Sequence, residues 1–100
     1  MRIVLTGTDV VISDQLRAYT EYRLFKSVAR YRNLIRGVDV SLRQHGGSAD
    51  CFLCSVIVDL GPSGRIKTQS RGRHPNAAID GAADRTASVL AQHSSQLISS

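Results

Sequence analysis

The chain has 100 residues, of which 42% are hydrophobic and 5% aromatic, which is enough for one domain with a thin core and too few for a second. A net charge of +5 favours polyanionic partners such as nucleic acid or an anionic membrane surface. No apolar stretch approaches the roughly 20 residues that cross a bilayer, and the N-terminal one is too short for a signal peptide, so the sequence predicts a cytoplasmic protein without a membrane partner.

The first half of the chain predicts a strand, a long helix and a second strand. Residues 2–6 are rich in β-formers, and Ser13 is a good N-cap for a helix that follows. Apolar positions then recur every three or four residues as far as Ile35, which predicts an amphipathic helix of about twenty residues with Gly37 as its C-terminal cap. Strict alternation in residues 38–43 predicts a half-buried strand.

The second half predicts a hairpin and a second helix. After a loop at 44–50, residues 51–60 alternate as a longer strand, 61–64 form a turn, and 65–71 alternate again. Pro75 suits the first turn of a helix that runs to about residue 97. The order β-α-β-β-β-α predicts a single α+β domain over residues 1–100, with a tail at 98–100 that frays. Its two layers are a four-stranded sheet and two helices on one face of it, and the first two strands run parallel.

Catalytic and metal chemistry find little support. Cys51 and Cys54 stand three apart on a strand and so point to opposite faces, which disfavours a shared metal ion and leaves Cys54 for the core. Asp80 and Asp84 share a helix face, where solvation, or pairing with Arg73 and Arg85, is a more ordinary role than catalysis. No glycine-rich segment matches a nucleotide fingerprint. The sequence therefore predicts a non-enzyme with no cofactor, metal or small-molecule substrate.

The basic residues are better organised, and eleven of the thirteen are arginine, which binds phosphate well; a GC-rich genome would give the same bias. One set forms a stripe on the first helix, a second alternates along the fourth strand with support from the second strand, and a third leads into the second helix. A solvated face is the alternative interpretation of each set. The candidate RNA-binding residues are Arg23, Lys26, Arg30, Arg43, Lys67, Arg71, Arg73 and Arg85.

Tyr22 and Phe25 lie away from the apolar stripe of the first helix. Exposed aromatic residues beside basic ones favour nucleic-acid binding. A dimer contact and a looser packing of the helix remain open as alternatives.

Two local blocks resemble the short form of the ribosome hibernation-promoting factor family. They are the opening strand with Gly7 followed by Ser13-x-x-Leu16-Arg17-x-Tyr19 and Arg23-Leu24, and the block Ala77-Ala78-Ile79-Asp80-x-Ala82-x-Asp84-Arg85. The resemblance implies a stress protein that sits on the small ribosomal subunit, in the channel used by messenger and transfer RNA, and silences idle ribosomes. It also implies a fold similar to double-stranded-RNA-binding domains, and basic family positions at Arg23, Lys26 and Arg85.

The chain departs from that family in the second helix, which carries no formal positive charge after Arg85. Because phosphate neutralisation supplies much of such affinity, binding is expected to weaken, shift toward the first helix and the sheet, or be lost. From this resemblance the protein is also expected to lack the C-terminal dimerisation domain of long family members. Three hypotheses remain: a translation silencer that contacts ribosomal RNA, an RNA-binding module with a non-ribosomal target, and a weak homodimer formed through Tyr22, Phe25 and a sheet edge.

Overall fold

The protein is described by a computed structural model that covers residues 1–44 and 51–99, with side chains as far as His93. Its elements follow the predicted order, with two helices, four strands and two short 3-10 turns. They are β1 (Arg2–Thr8), α1 (Asp14–Val28), the turn Ala29–Tyr31, β2 (Gly37–Gln44), β3 (Phe52–Asp59), the turn Gly61–Ser63, β4 (Arg65–Gly72) and α2 (Pro75–Ser99).

The four strands form one mixed sheet in the spatial order β1-β2-β3-β4. β1 and β2 run parallel, as expected for strands joined through a helix, and the other two pairs are antiparallel. The register places Leu5, Val40, Val56 and Thr68 side by side across the sheet. Since side chains alternate along each strand, this row and its neighbours two residues away face the helices.

The core lies between this sheet face and the two helices. α1 lies beside β1, whereas α2 lies over β3 and β4 and also contacts α1. The largest fully buried side chains are Leu24, Leu42, Ile79, Val28, Val38, Val40, Val56, Val58, Thr20, Thr86 and Cys54. The buried Thr68 and Thr86 hydroxyls hydrogen-bond to each other at 2.8 Å, so these two polar groups under α2 have partners.

α2 approaches β4 closely because glycine stands at two contact points. A Cβ at Gly72 would lie 2.6 Å from the backbone nitrogen of Ala78, and one at Gly81 would lie 2.1 Å from the Ser70 hydroxyl. Both distances are shorter than real carbon contacts allow. The missing side chains therefore set how near the helix can lie to the strand.

The first helix is shorter than the predicted twenty residues, and Gly37 is not its cap. α1 ends at Val28, a 3-10 turn follows, and Gly37 is the first residue of β2. Leu34, predicted to face the core, is 46% exposed, whereas Ile35 is buried. The chain needs residues 32–36 to return to the sheet, where the Arg36 N–H donates a 2.8 Å hydrogen bond to the Asp59 carbonyl.

The remaining boundaries differ from prediction by one or two residues. β1 reaches Thr8, β2 includes Gln44, and α2 reaches Ser99 instead of ending near 97. Most of the loop predicted at 44–50, the side chain of Leu97 and the last residue of the predicted frayed tail lie outside the described residues.

Candidate nucleic-acid interface

The sheet face turned away from the helices carries three of the predicted cations. Arg43, Leu53 and Arg71 are direct neighbours across β2, β3 and β4, and Lys67 lies four residues before Arg71 on the same face. Strands are about 4.8 Å apart, so the backbones of the two arginines lie roughly 10 Å from each other. All three cationic side chains are exposed.

Leu53 was assigned by its alternation to the face away from the core, yet it is only 6% exposed. Its direct neighbours, Arg43 and Arg71, are positioned to cover it with the aliphatic parts of their side chains. Sequence reasoning missed this feature because an apolar residue on that face carries no periodic signal of its own.

A groove runs along the outer side of β4. This β4 groove has an open volume of about 670 Å³ and lies between Lys67 and Gln69 on the strand and Asp84, Arg85, Ser88 and Gln92 on α2. Arg85 also lines a second cavity of about 410 Å³, together with Leu53 and Arg71. The structure thus brings Arg85 together with Lys67 and Arg71, which are distant in sequence.

Arg23, the first of the predicted helix cations, is engaged within the protein. Its Nε lies 3.2 Å from Asp80 Oδ1 and its Nη2 lies 2.8 Å from Asp84 Oδ1, while Nη1 donates to Ser27 Oγ at 3.1 Å. The pairing of the two aspartates with Arg73 and Arg85, one of the two ordinary roles expected for them, is wrong: within the described part of the chain, both aspartates pair with Arg23, and these ion pairs join α2 to α1.

Tyr19 extends this polar link between the helices. Its hydroxyl donates a hydrogen bond to Asp80, and this bond, followed by burial, raises the pKa of Tyr19 above its usual value. The guanidinium of Arg23, whose pKa is raised by its hydrogen bond to Asp84, stays charged. We refer to Tyr19, Arg23, Asp80 and Asp84 as the interhelix clamp.

Lys26 and Arg30 lie apart from the β4 groove, on the β1 side of the molecule. Lys26 is exposed on α1, with its Nζ 5.4 Å from the centre of the Tyr22 ring. Arg30 is exposed too, but it lies in the 3-10 turn beyond the end of α1, so the helical spacing predicted for the stripe does not extend to it. Tyr22 and Phe25 are 61% and 45% exposed, as their positions on the helix predicted.

Arg73 is exposed in the connection between β4 and α2. The predicted cations therefore fall into three groups: Arg43, Lys67, Arg71 and Arg85 near β4, Arg73 at the entry to α2, and Lys26 and Arg30 near α1. Arg23 is held in the clamp. The sequence pattern did not select Gln69 and Gln92, which add neutral hydrogen-bonding groups to the β4 groove. Gln69 could have been found, because it lies on the same face of β4 as the cations on either side of it.

The two cysteines are free, and Cys54 is buried in the core as predicted. Burial raises the pKa of the Cys54 thiol to about 12. Within residues 1–44 and 51–99, no three His, Cys, Asp or Glu side chains are grouped so that they could hold a metal ion. In the same part of the chain, neither helix is long and apolar enough to cross a membrane.

Sequence comparison identifies the family. The family described as sigma 54 modulation protein / S30EA ribosomal protein matches residues 3–98. The chain belongs to this family. It is also 38% identical, over 84 residues, to the chloroplastic ribosome-binding factor PSRP1 of Spinacia oleracea, a match that covers 80% of this chain and 28% of that protein. The chain thus spans less than a third of the length of this relative.

Solved structures support the fold assignment. A ribosomal subunit interface protein from Coxiella burnetii matches with a TM-score of 0.83 and 22% identity, covering 95% of this chain and 99% of its own. The N-terminal domain of Thermus thermophilus Protein Y matches with a TM-score of 0.71 and 27% identity, covering 89% and 91%. The resemblance to ribosome hibernation factors and the α+β fold inferred from sequence are both confirmed.

Proposed function

We propose that this protein binds the ribosome at its small subunit, through basic residues that contact ribosomal RNA, and silences translation under stress. The observation that carries the proposal is the 38% identity to a ribosome-binding factor. Its action is binding, without a reaction or a cofactor. The family match over residues 3–98 supports the same conclusion, since it includes every predicted contact residue.

The arrangement of cations supports an RNA contact centred near β4. Arg43, Lys67 and Arg71 are exposed on one sheet face, and Arg85 lies beside them in the β4 groove. Their guanidinium and ammonium groups are suited to phosphate oxygens, and each phosphate neutralised releases counterions. With no positive charge in α2 after Arg85, we place the main contact on this surface, and secondary contacts on Lys26, Arg30 and Arg73.

Arg23 has a different part in this proposal. Its charge is shared with two aspartates, and its side chain is 27% exposed. A phosphate would have to compete with the 2.8 Å contact to Asp84. Reversing this charge therefore disturbs the interhelix clamp as well as any RNA contact, so Arg23 is an ambiguous probe of binding.

The test is co-sedimentation with ribosomes on density gradients at low and high salt. The wild-type protein is expected to migrate with the small subunit or whole ribosome at low salt and to leave it at high salt. Lys67→Glu combined with Arg71→Glu should abolish comigration, and Lys26→Glu should weaken it. Arg2→Glu, a charge reversal of an exposed residue at the far end of the same sheet face, is the matched control and should comigrate like the wild type.

A protein that stays at the top of the gradient at every salt concentration would overturn the proposal. Silencing is tested separately, by adding the protein to a cell-free translation reaction. Comigration without a decrease in product would retain ribosome binding and reject silencing. Binding of structured RNA without ribosomes would favour the alternative of a non-ribosomal RNA target.

The alternative of a dimerising domain has one observation in its favour. The first third of the chain exposes several large apolar side chains, which are Met1, Val4, Val11, Tyr22, Phe25 and Leu34. Three of these, Met1, Tyr22 and Phe25, line a common shallow cavity of about 400 Å³. Sedimentation equilibrium at rising concentration tests this candidate, and a dimer that Phe25→Asp abolishes would support it.

A further inference from the structure

β4 is an outer strand of the sheet, and the strand register identifies which of its backbone N–H and C=O groups point away from β3. The Leu60 N–H donates a 2.8 Å hydrogen bond to the Gly64 carbonyl, which is its direct partner when the β3–β4 register is continued by one residue. In an antiparallel ladder, hydrogen-bonded pairs alternate with pairs whose N–H and C=O groups point away. Even-numbered β4 residues therefore bond to β3, and the odd-numbered ones face outward.

The outward-facing residues are Arg65, Lys67, Gln69 and Arg71. Among residues 1–44 and 51–99, none of their backbone N–H or C=O groups has a hydrogen-bond partner outside the β3–β4 ladder. Because these residues are two positions apart, their outward N–H and C=O groups recur about every 7 Å along β4. An added strand would present its own groups at the same repeat. The β4 groove lies directly beside them, between Lys67 and Gln69 on one side and α2 on the other.

Charge disfavours a second copy of the chain as the occupant. In antiparallel pairing of β4 with itself, a register centred on Thr68 sets Arg65 opposite Arg71 of the other copy. A register centred on Lys67 sets two lysines opposite each other, and one centred on Gln69 sets Lys67 opposite Arg71. Directly opposed like charges destabilise a strand pair, so these cations act against self-association.

The same features separate a peptide from a nucleic acid. The phosphate oxygens of a nucleic acid only accept hydrogen bonds, so they could pair with the outward N–H groups of β4 but not with its outward C=O groups, which would need 2′-hydroxyl or base donors at the spacing of a strand. An extended peptide offers donors and acceptors in the alternation that the edge requires. Lys67, Arg71 and Arg85 surround the strand it would add, whereas Asp84 in the same groove is already paired with Arg23.

We propose that the β4 edge and the β4 groove bind an extended acidic peptide segment of a partner protein, which adds to the sheet as a fifth strand. Acidic side chains at alternate positions of this segment face Lys67 and Arg71, and Arg85 closes the groove from α2. This proposal uses cations, Lys67, Arg71 and Arg85, that also carry the proposed RNA contact, so the peptide and RNA would compete for this surface. The test below contains no ribosome, so its failure is distinguishable from failure of the ribosome proposal.

The probe is a synthetic eight-residue peptide in which Glu alternates with Thr and Val, titrated into ¹⁵N-labelled full-length protein and followed by NMR. We expect amide shift changes along residues 65–71 and at Arg85. Two further peptides serve as controls: one with Lys in place of Glu, and one N-methylated at alternate residues so that it cannot pair with an edge. Both should bind at least about fivefold more weakly, the effect of one or more lost hydrogen bonds or charge contacts.

Two protein variants separate backbone pairing from charge. Gln69→Pro removes the outward-facing N–H together with the amide side chain that donates to Ser55, at a position where an edge strand tolerates proline, and should weaken binding about fivefold or more. Gln69→Thr also loses the amide side chain but keeps that N–H, so it should bind at least about fivefold more tightly than Gln69→Pro. Lys67→Glu should weaken binding of the acidic peptide and strengthen binding of the Lys-containing one.

Three results would overturn the inference. The first is no shift change with the acidic peptide at millimolar concentration, and the second is equal binding of the N-methylated peptide. In the third, the peptide does not bind, whereas a duplex RNA oligonucleotide shifts the β4 amide signals. This RNA also binds the Gln69→Pro variant as tightly as it binds the wild type. That result would assign the groove to nucleic acid.

Discussion

The two edges of the sheet differ in how their backbone is covered. At the β1 edge, the Arg17 Nη1 donates a 3.1 Å hydrogen bond to the Leu5 carbonyl, so a side chain from α1 covers the middle of the strand. At the β4 edge, the outward backbone groups face an open groove lined by cations. At the β1 edge a side chain of the protein itself occupies a backbone carbonyl, whereas the β4 edge is protected from self-pairing by charge and left open to an acidic segment.

The helices beside these edges also pack differently. α2 lies against β4 through small residues, with Gly72 and Gly81 at the points of closest approach. α1 buries Thr20, Leu24 and Val28 but leaves Tyr22 and Phe25 exposed. The interhelix clamp joins the two halves. The difference indicates that the β4 side is the more tightly fixed part of the molecule, which suits a surface that must present several cations in a constant geometry.

The largest expected effect comes from disturbing the close approach of α2 to β4. Gly72→Ala places a Cβ against the backbone of Ala78, where no flexible side chain can yield, and should lower the free energy of unfolding by about 2–3 kcal/mol. Gly37→Ala is the matched control, since its Cβ would meet only the Arg2 carbonyl at 3.5 Å. Urea denaturation measures both variants, and equal midpoints would contradict the assignment.

Alkaline pH provides the second test of the β4 half. Folding raises the pKa of the Cys54 thiol to about 12, so its neutral form stabilises the folded state below about pH 9 and this contribution is lost as pH rises toward 12. Relative to Cys54→Ala, the wild type should lose about 2 kcal/mol between pH 8 and 10.5, at about 1.4 kcal/mol per pH unit. Cys51→Ala should behave like the wild type in urea denaturation. If the free energy of unfolding depended on pH in the same way in all three proteins, the assigned role of the Cys54 thiol would be wrong.

The interhelix clamp should contribute less, because Asp84 is largely exposed. Arg23→Gln is expected to lower the free energy of unfolding by about 1 kcal/mol. A double-mutant cycle with Asp84→Asn isolates the pair and should give a coupling of about 0.5–1 kcal/mol. Lys26→Gln, which removes an exposed charge on the same helix, should change stability very little. A coupling of zero would show that the clamp does not hold the helices together.

The smallest effect is expected at the β1 edge. Arg17→Met keeps the aliphatic part of the side chain but removes the hydrogen bond to the Leu5 carbonyl, which should cost about 0.5 kcal/mol. Arg32→Met, at an exposed position with no hydrogen bond to β1, is its control. Equal unfolding midpoints for these two variants would mean that water hydrogen-bonds to the Leu5 carbonyl as favourably as Arg17 does.

Local sequence pattern was sufficient for most of the fold. Alternation in 38–43 and 65–71 predicted β2 and β4 closely, Ser13 is the N-cap of α1 with its hydroxyl accepting from the Leu16 N–H, and α2 begins at Pro75. The end of α1 could not be predicted in this way. Apolar spacing continues past Val28, but the helix stops there because the chain must turn back to place β2 beside β1.

The candidate site was predictable in its residues but less so in its arrangement. Charge and alternation selected Lys67 and Arg71, and the structure places both on the exposed sheet face. Spacing along α1 equally selected Arg23, because a helical wheel cannot show that α2 brings Asp80 and Asp84 to within ion-pair distance. Leu53 likewise has an ordinary position in the pattern, and only its neighbours on β2 and β4 explain its burial.

The sequence by itself determined the element order, the core faces, the basic character and the family, because each depends on residues near one another in the chain or on composition. Only the tertiary structure decided which cations are free to bind and which edge of the sheet is open. Both depend on contacts between residues about sixty positions apart, such as Arg23 with Asp84, or on backbone groups whose direction is fixed by strand register. Such contacts arise when the layers pack, and no local periodicity records them.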